Sequence, residues 1–262
     1  MQTPSQKSHA RVKAVIAILL TFTAGIVDIV GYMTVYHIFV AHMTGTTVHL
    51  GNKLEAGAWA DAARAFVTIA SFVVGSVMGR AVIEGGARTR KRTVASWTMA
   101  AEAVLVLFFV WIGAGVLQQF TPQTMPVGTS CLLLGLLATA MGLQTATLTR
   151  IGPLTIHTTF VTGMLNKLAQ ETARWLFWIY DSWRKDRSLA HLMDNSRKHI
   201  AFRNAEFMLA IWFSYMLGSV AGTWMDSRWK TAALYLPVCI LVGSIVVDQM
   251  RPLSLEEETD QI

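Results

Sequence analysis

The chain has 262 residues, 53% of them hydrophobic and only 15% charged, with a mean hydropathy of +0.44 and a formal net charge of +6. Soluble domains carry about 25% charged residues, so this balance points away from a soluble fold and towards a membrane protein. Its basic residues sit in short loops between apolar runs, which is a pattern of membrane orientation and not of a nucleic-acid surface, so no nucleic acid is expected as a partner.

Residues 1–13 form a basic start, with Lys7, Arg11 and Lys13, that leads into an apolar run too long for the core of a cleavable signal. That run is expected to stay as an anchor. Six runs have roughly the 20 apolar residues that a membrane helix needs: about 14–36, 62–83, 94–117, 127–149, 205–225 and 230–249. Lys and Arg concentrate before the first run, at Arg88, Arg90, Lys91 and Arg92, and between Arg184 and Arg203, whereas loop 118–126 has no charge. The positive-inside rule then places both termini, 84–93 and 181–204 in the cytoplasm of a cell holding the protein in its inner membrane. The assignment works only if 37–53 and 151–168 add no full crossing.

Those two segments carry the polar motifs. "FVAHMTGTTVHLG" (39–51) and "TTFVTGMLNKL" (158–168) are both built around a Thr-Gly pair, at Thr44-Gly45 and Thr162-Gly163. "GSVMG" (75–79) likewise returns as "GSVAG" (218–222) in the span that follows each. The order of span, Thr-Gly segment, glycine-rich span and further span therefore occurs twice, with extra polar residues near 179–204 in the second half. Three spans per half make the two halves, 14–118 and 127–250, inverted with respect to the membrane, the plan of many secondary transporters. The expected fold is an all-α membrane protein of six transmembrane helices in two inverted three-helix repeats. Each repeat has a broken or re-entrant Thr-Gly segment, with the break expected at Gly45 in the first, and the chain ends in a cytoplasmic tail (251–262).

Asp28 lies inside the first span, where a carboxylate is costly and calls for a coupling role or a structural hydrogen bond. Glu102 is similar and is expected to pair with Arg80 or Arg92. Asp248, at the end of the last run, reads as interfacial. His42 and His49 are seven apart, with His37 and His157 as further imidazoles. A relay, a solute contact and helix packing all suit them, whereas no HxxxH or HExxH pattern supports a metal. Thr44, Thr46, Thr47, Thr158, Thr159 and Thr162 offer hydroxyls at helix breaks, where backbone N–H groups also bind small polar solutes. Gly45, Gly163, Gln144 and Asn166 complete that candidate site. Gly75, Gly79, Gly218 and Gly222 read as close-packing positions. Residues 166–180 read as an amphipathic helix with Trp175, Phe177, Trp178 and Tyr180 at the interface. Cys131 and Cys239 lie in apolar runs and make neither a disulfide framework nor a zinc site. No nucleophile elbow, P-loop or dinucleotide turn is present, so neither an enzyme nor a cofactor is expected.

"AGIVDIVGYMTVYHIFVAHMTGTTVHLG" (24–51) together with "AMGLQTATLTRIGPLTIHTTFVTGMLNKL" (140–168) resembles the YoaK family of multi-pass membrane proteins over nearly the whole chain. The family pattern reads MTGNTV where this chain has Thr46, and shows Asn where it has Thr145. The resemblance implies the fold and the membrane location, and supplies no substrate. The resulting expectation is a secondary transporter or permease of a small solute, with the lipid bilayer as partner. A homodimer is compatible with it. The alternatives are an intramembrane metal or enzyme site at Asp28 and the histidines, and a membrane scaffold working through the basic insert.

Overall fold

The computed structural model describes residues 4–89, 93–147, 150–151, 154–155, 158–185 and 195–252. The helices are α1 (Pro4–Thr34), α2 (Met43–Glu55), α3 (Trp59–Arg88), α4 (Val94–Val116), α5 (Val127–Thr147), α6 (Val161–Lys185), α7 (Ile200–Trp229) and α8 (Tyr235–Met250). A 3-10 turn, Lys230–Leu234, links α7 to α8. Between α5 and α6, Arg150–Ile151 pairs antiparallel with Leu154–Thr155. The expectation of an all-helical membrane architecture therefore holds, with that strand pair as a small addition.

Among the described residues five segments are long and apolar enough to cross a membrane: Ala10–Thr34, Trp59–Arg88, Val94–Val116, Val127–Thr147 and Ile200–Met250. The last, 51 residues long, contains both α7 and α8 and so covers the two final runs read from sequence. α2 has 13 residues, about 20 Å of helix, too short to cross alone. α6 has 25 residues, is amphipathic, and exposes Phe177 and Tyr180 while Trp175 packs on Phe202 and Trp178 stacks on His199. The amphipathic helix expected at 166–180 is thus present, docked against the start of α7. Of the extra polar stretch near 179–204, residues 186–194 lie outside the described residues.

Two close helix pairs form the centre, and glycine makes both of them possible. α1 runs parallel to α7: a Cβ on Gly218 would strike the Phe22 carbonyl oxygen, one on Gly25 the Tyr215 carbonyl oxygen, and one on Gly222 would come within 3.0 Å of the Ile26 backbone. α3 runs parallel to α5 in the same manner. There Gly75 faces the Thr139 carbonyl, Gly142 the Phe72 carbonyl, and a Cβ on Gly79 would come within 3.2 Å of the Leu143 carbonyl oxygen. With lipid tails as apolar as leucine, this backbone approach is what holds membrane helices together.

α4 packs antiparallel to α8, with Gly113 beside Thr231 at one end and Ser96 bonded to Asp248 at the other. α5 is set against α4 by a Thr147–Thr98 hydroxyl bond of 2.9 Å and against α1 by Gln144 bonding the Leu20 carbonyl. Two apolar clusters fill the space between. One joins Val27, Val30, Phe109, Leu137 and Met141, and the other joins Leu20, Met99, Met164, Met208 and Leu241.

Candidate functional site

The polar interior is built where α1 ends. Thr34 is the last helical residue, and Tyr36 and His37 then adopt left-handed backbone, both at φ 54°. For side chains other than glycine this costs roughly 1–2 kcal/mol each and persists only when neighbours enforce it. The enforcing group is Asp28. Its Oδ1 accepts hydrogen bonds from the backbone N–H groups of Val40 and Ala41, both at 2.8 Å, and its Oδ2 accepts from the Tyr215 hydroxyl at 2.6 Å. The chain that left α1 is thereby folded back to the depth of Asp28, opposite the middle of α7. Tyr32 stacks on Phe39 at 4.3 Å and Arg64 lies 3.7 Å over the Tyr36 ring, so both flanks of the turn are held.

The break was expected at Gly45, and the structure places it upstream, at 35–42. Gly45 lies in the first turn of α2, with His42 as the N-cap. The His42 ring lies across it, so a Cβ there would come within 2.6 Å of a side chain that can turn away. Gly163 has the same place in the first turn of α6, beneath the Phe160 ring. The Thr-Gly pairs therefore begin helices and do not interrupt them.

The candidate threonines divide into two groups. Thr46 is buried and donates to the carbonyls of Phe39 (3.0 Å) and His42 (3.2 Å), so its hydroxyl fastens the start of α2. Thr159 is buried and shares a 2.6 Å hydrogen bond with Thr145. Thr158 is buried and its hydroxyl has no partner. Thr44, Thr47, Thr162 and Asn166 are exposed, with Thr47 bonded back to the Met43 carbonyl. No hydrogen bond between α2 and α6 joins the two Thr-Gly segments among the described residues: α2 packs on α3, and α6 on α7.

The histidines are dispersed. His37 sits edge-on to Tyr32, His42 edge-on to Phe39, and His49 leaves a buried Nε2 without a partner. His157 lies outside the described residues. Among the described residues no three His, Cys, Asp or Glu side chains gather where a metal would sit.

Two acidic residues differ from expectation. Glu102 is fully buried, and neither carboxylate oxygen has a partner among the described residues. Arg80, one of the two arginines expected beside it, is exposed and paired with Glu84 at 2.5 Å one turn away on its own helix, and the other, Arg92, lies outside the described residues. Asp248, expected at the interface, is fully buried and accepts from the Ser96 N–H (3.0 Å) and hydroxyl (2.5 Å) in the first turn of α4. A carboxylate at a helix N-terminus is favoured by the unpaired N–H groups there.

Sequence reading missed Arg64 altogether. It is buried in the first turns of α3, bonded to Ser130 (2.7 Å), Asp61 (2.6 Å) and the Met125 carbonyl (3.3 Å). The signal was available, because an arginine inside an apolar run is as unusual as an aspartate there. Tyr215 was missed for a different reason: a tyrosine in an apolar span carries no mark of the carboxylate it meets.

These features define a multi-pass helical membrane protein with a polar, discontinuous interior. The chain belongs to the family described as "Protein of unknown function (DUF1275)", whose model matches residues 16–247. It is similar to the UPF0700 transmembrane protein YoaK of Bacillus subtilis (strain 168), with 22% identity over 233 residues that cover 89% of this chain and 92% of the relative. The family resemblance read from the two motif regions is thus borne out. No solved structure matches the chain.

Proposed function

We propose that the protein is a secondary transporter or permease of a small polar solute, built from two inverted halves of three crossings each (14–118 and 127–250), and not an enzyme. One observation carries the reading. The helix contacts repeat with constant offsets: Phe22, Gly25, Ile26 and Ile29 of α1 correspond to Thr139, Gly142, Leu143 and Ala146 of α5, each 117 positions on. Phe72, Gly75, Ser76 and Gly79 of α3 correspond to Tyr215, Gly218, Ser219 and Gly222 of α7, each 143 positions on. Every close approach in one pair thus has its equivalent in the other, with the partners exchanged between halves. Side-chain packing alone has no reason to produce this, whereas a pseudo-twofold axis in the membrane plane requires it.

The correspondence extends to the polar centre. Asp28 falls on Thr145 at the offset of 117, and Ala41 falls on Thr159 at the offset of 118 that relates the Thr-Gly pairs, so the Asp28–Ala41 contact has a counterpart in the Thr145–Thr159 bond. In both halves the chain turns back at this depth and then starts a helix with a Thr-Gly pair. Transporters of this plan place the solute between such discontinuous elements. The N-termini of α2 and α6, with the exposed Thr44, Thr47 and Thr162 beside them, are the surfaces assigned to the solute. Rocking of one half against the other alternates their access. Asp28, with three donors, holds the turn in place, and coupling through it acts by release of the 35–42 segment.

The test is cysteine accessibility. Cys131 and Cys239 are replaced, single cysteines are placed at 44, 47 and 162, and intact membranes are labelled with a water-soluble maleimide from each side. Labelling at both segments supports an aqueous pathway. No labelling from either side makes the Thr-Gly pairs dry packing motifs and removes the transport reading.

A further inference from the structure

The group left over by this arrangement is Glu102, and its surroundings have a consistent chemistry. The 2.9 Å Thr147–Thr98 bond fixes the register of antiparallel α4 and α5. One turn further into the bundle from that bond, the same register brings Glu102 on α4 to the depth of Gln144 on α5. Gln144 gives its Nε2 to the Leu20 carbonyl at 2.6 Å and leaves its Oε1 buried without a partner. One turn further along α1, the buried Thr23 hydroxyl also has no partner. Both Glu102 oxygens, the Gln144 oxygen and the Thr23 hydroxyl are therefore unsatisfied polar atoms around one level of the bundle. Buried unsatisfied groups are rare and costly in folded proteins, more so away from water, and call for an explanation.

What Glu102 lacks is a donor. Its two oxygens and the Gln144 Oε1 only accept hydrogen bonds, and the Thr23 hydroxyl, which could donate, bonds none of them. Among the described residues no cation bonds Glu102; α6 and α7, whose Met164 and Met208 pack with Met99 and Ala103, carry the half-buried Lys167 and the exposed Arg203 and Glu206. α5 contains no Asp, Glu, Lys, Arg or His, and its Cys131 lies in the first turns, near the Arg64–Ser130 bond at the other end of the helix. α3 presents Arg80 and Glu84, which are exposed and paired with each other. α8 presents Asp248, committed to Ser96, and the exposed Cys239, while the 3-10 turn presents Lys230, directed at Asp226. α1, reached through Gln144, has Lys13 towards the end where α1 begins and Asp28 further along, saturated by its three donors.

We propose that Glu102 is a proton-exchange site, distinct from Asp28, at which the carboxylate takes a proton from hydronium to become a carboxylic acid and water, and returns it by the reverse step. The acid O–H supplies the missing donor, with the Gln144 amide oxygen as its acceptor at that depth. In the transport reading, on which its physiological meaning rests, Glu102 is a second coupling group beside Asp28.

The experiment is infrared difference spectroscopy of the purified full chain in lipid nanodiscs, between neutral and alkaline pH and between H2O and D2O. Expected is a carboxylic-acid carbonyl band that titrates, shifts in D2O, disappears in Glu102→Gln and persists in Asp28→Asn. Gln144→Leu is expected to move the same band to higher frequency, because the acid loses its acceptor; this variant keeps the test open should Glu102→Gln fold poorly. A spectrum without such a band, a band unchanged in Glu102→Gln, or a band blind to both pH and D2O overturns the proposal. So does a band abolished by sodium at constant pH, which assigns the site to a metal cation. The outcome is separable from the transport reading: a titrating Glu102 band with unlabelled Thr-Gly segments keeps the proton site and discards the pathway.

Discussion

Asp28 illustrates how a single buried carboxylate organises a backbone. Its three hydrogen bonds go to two N–H groups of the turn and to Tyr215 on the facing helix, so it joins three pieces of chain that are not neighbours in sequence. Hydrogen bonds to a charged group contribute about 1.5–3 kcal/mol, and a donor left buried without its acceptor costs about 1–3 kcal/mol. Tyr215→Phe, which removes one donor, is expected to lower the thermal stability of the detergent-purified protein by the equivalent of about 1.5–3 kcal/mol. Asp28→Ala, which strands all three donors, is expected to cost more than Tyr215→Phe. In the double variant the two losses should not add, because each breaks the same bond. Additive losses would mean that the Asp28–Tyr215 bond contributes nothing, and the turn would then need another support.

Helix pairs are the next scale, and there the glycines separate sharply by what they face. Gly142 and Gly218 face the carbonyls of Phe72 and Phe22, which cannot move without displacing a helix. Gly45 faces only the His42 ring, and Gly128 and Gly243 face open space. Gly142→Ala and Gly218→Ala are therefore expected to cost upwards of about 1–3 kcal/mol and to reduce the monodisperse yield strongly. Gly243→Ala is expected to be neutral or to stabilise by about 0.5–1 kcal/mol, as alanine does in a helix. Gly45→Ala should fall near Gly243→Ala, since an imidazole at a helix start can swing aside. Size-exclusion profiles and melting curves of the four variants give the comparison, and equal behaviour of Gly142→Ala and Gly243→Ala would sink it. The small-residue spacing was legible in sequence as packing, but which helix each glycine met was not, because spacing along one helix says nothing about its partner.

At the scale of the whole molecule the directions of the helices decide orientation. The antiparallel and parallel contacts place the start of α1, the end of α3, the start of α4, the end of α5, the start of α7 and the end of α8 at one end of the bundle. Arg11, Arg88, Arg197, Arg203 and Arg251 lie at this end. The opposite end carries the uncharged 117–126 connection and the Arg64 cluster. We expect the basic end in the cytoplasm. Reporter domains fused at either terminus should be active only in that compartment, and a single cysteine at Thr121 should react with an impermeant reagent from outside. A terminus found outside would reverse the assignment and the inverted halves with it.

The sequence by itself determined the class and the outline. Composition fixed the solvent, apolar run length fixed where the long helices lie, and two copied motifs pointed to the two halves, because each of these depends on local composition or on similarity along the chain. Tertiary structure decided everything that needed a partner. The turn at 35–42 has no glycine or proline to announce it: Tyr36 and His37 are held left-handed by Asp28, whose role depends on Val40, Ala41 and the distant Tyr215. Asp248 became a helix-start partner only through Ser96, 152 residues away. Arg80, one of the two arginines that proximity suggested for Glu102, faces outward and bonds Glu84 instead. A buried charge announces itself in sequence by its cost, but what offsets that cost is set by the neighbours that folding brings to it.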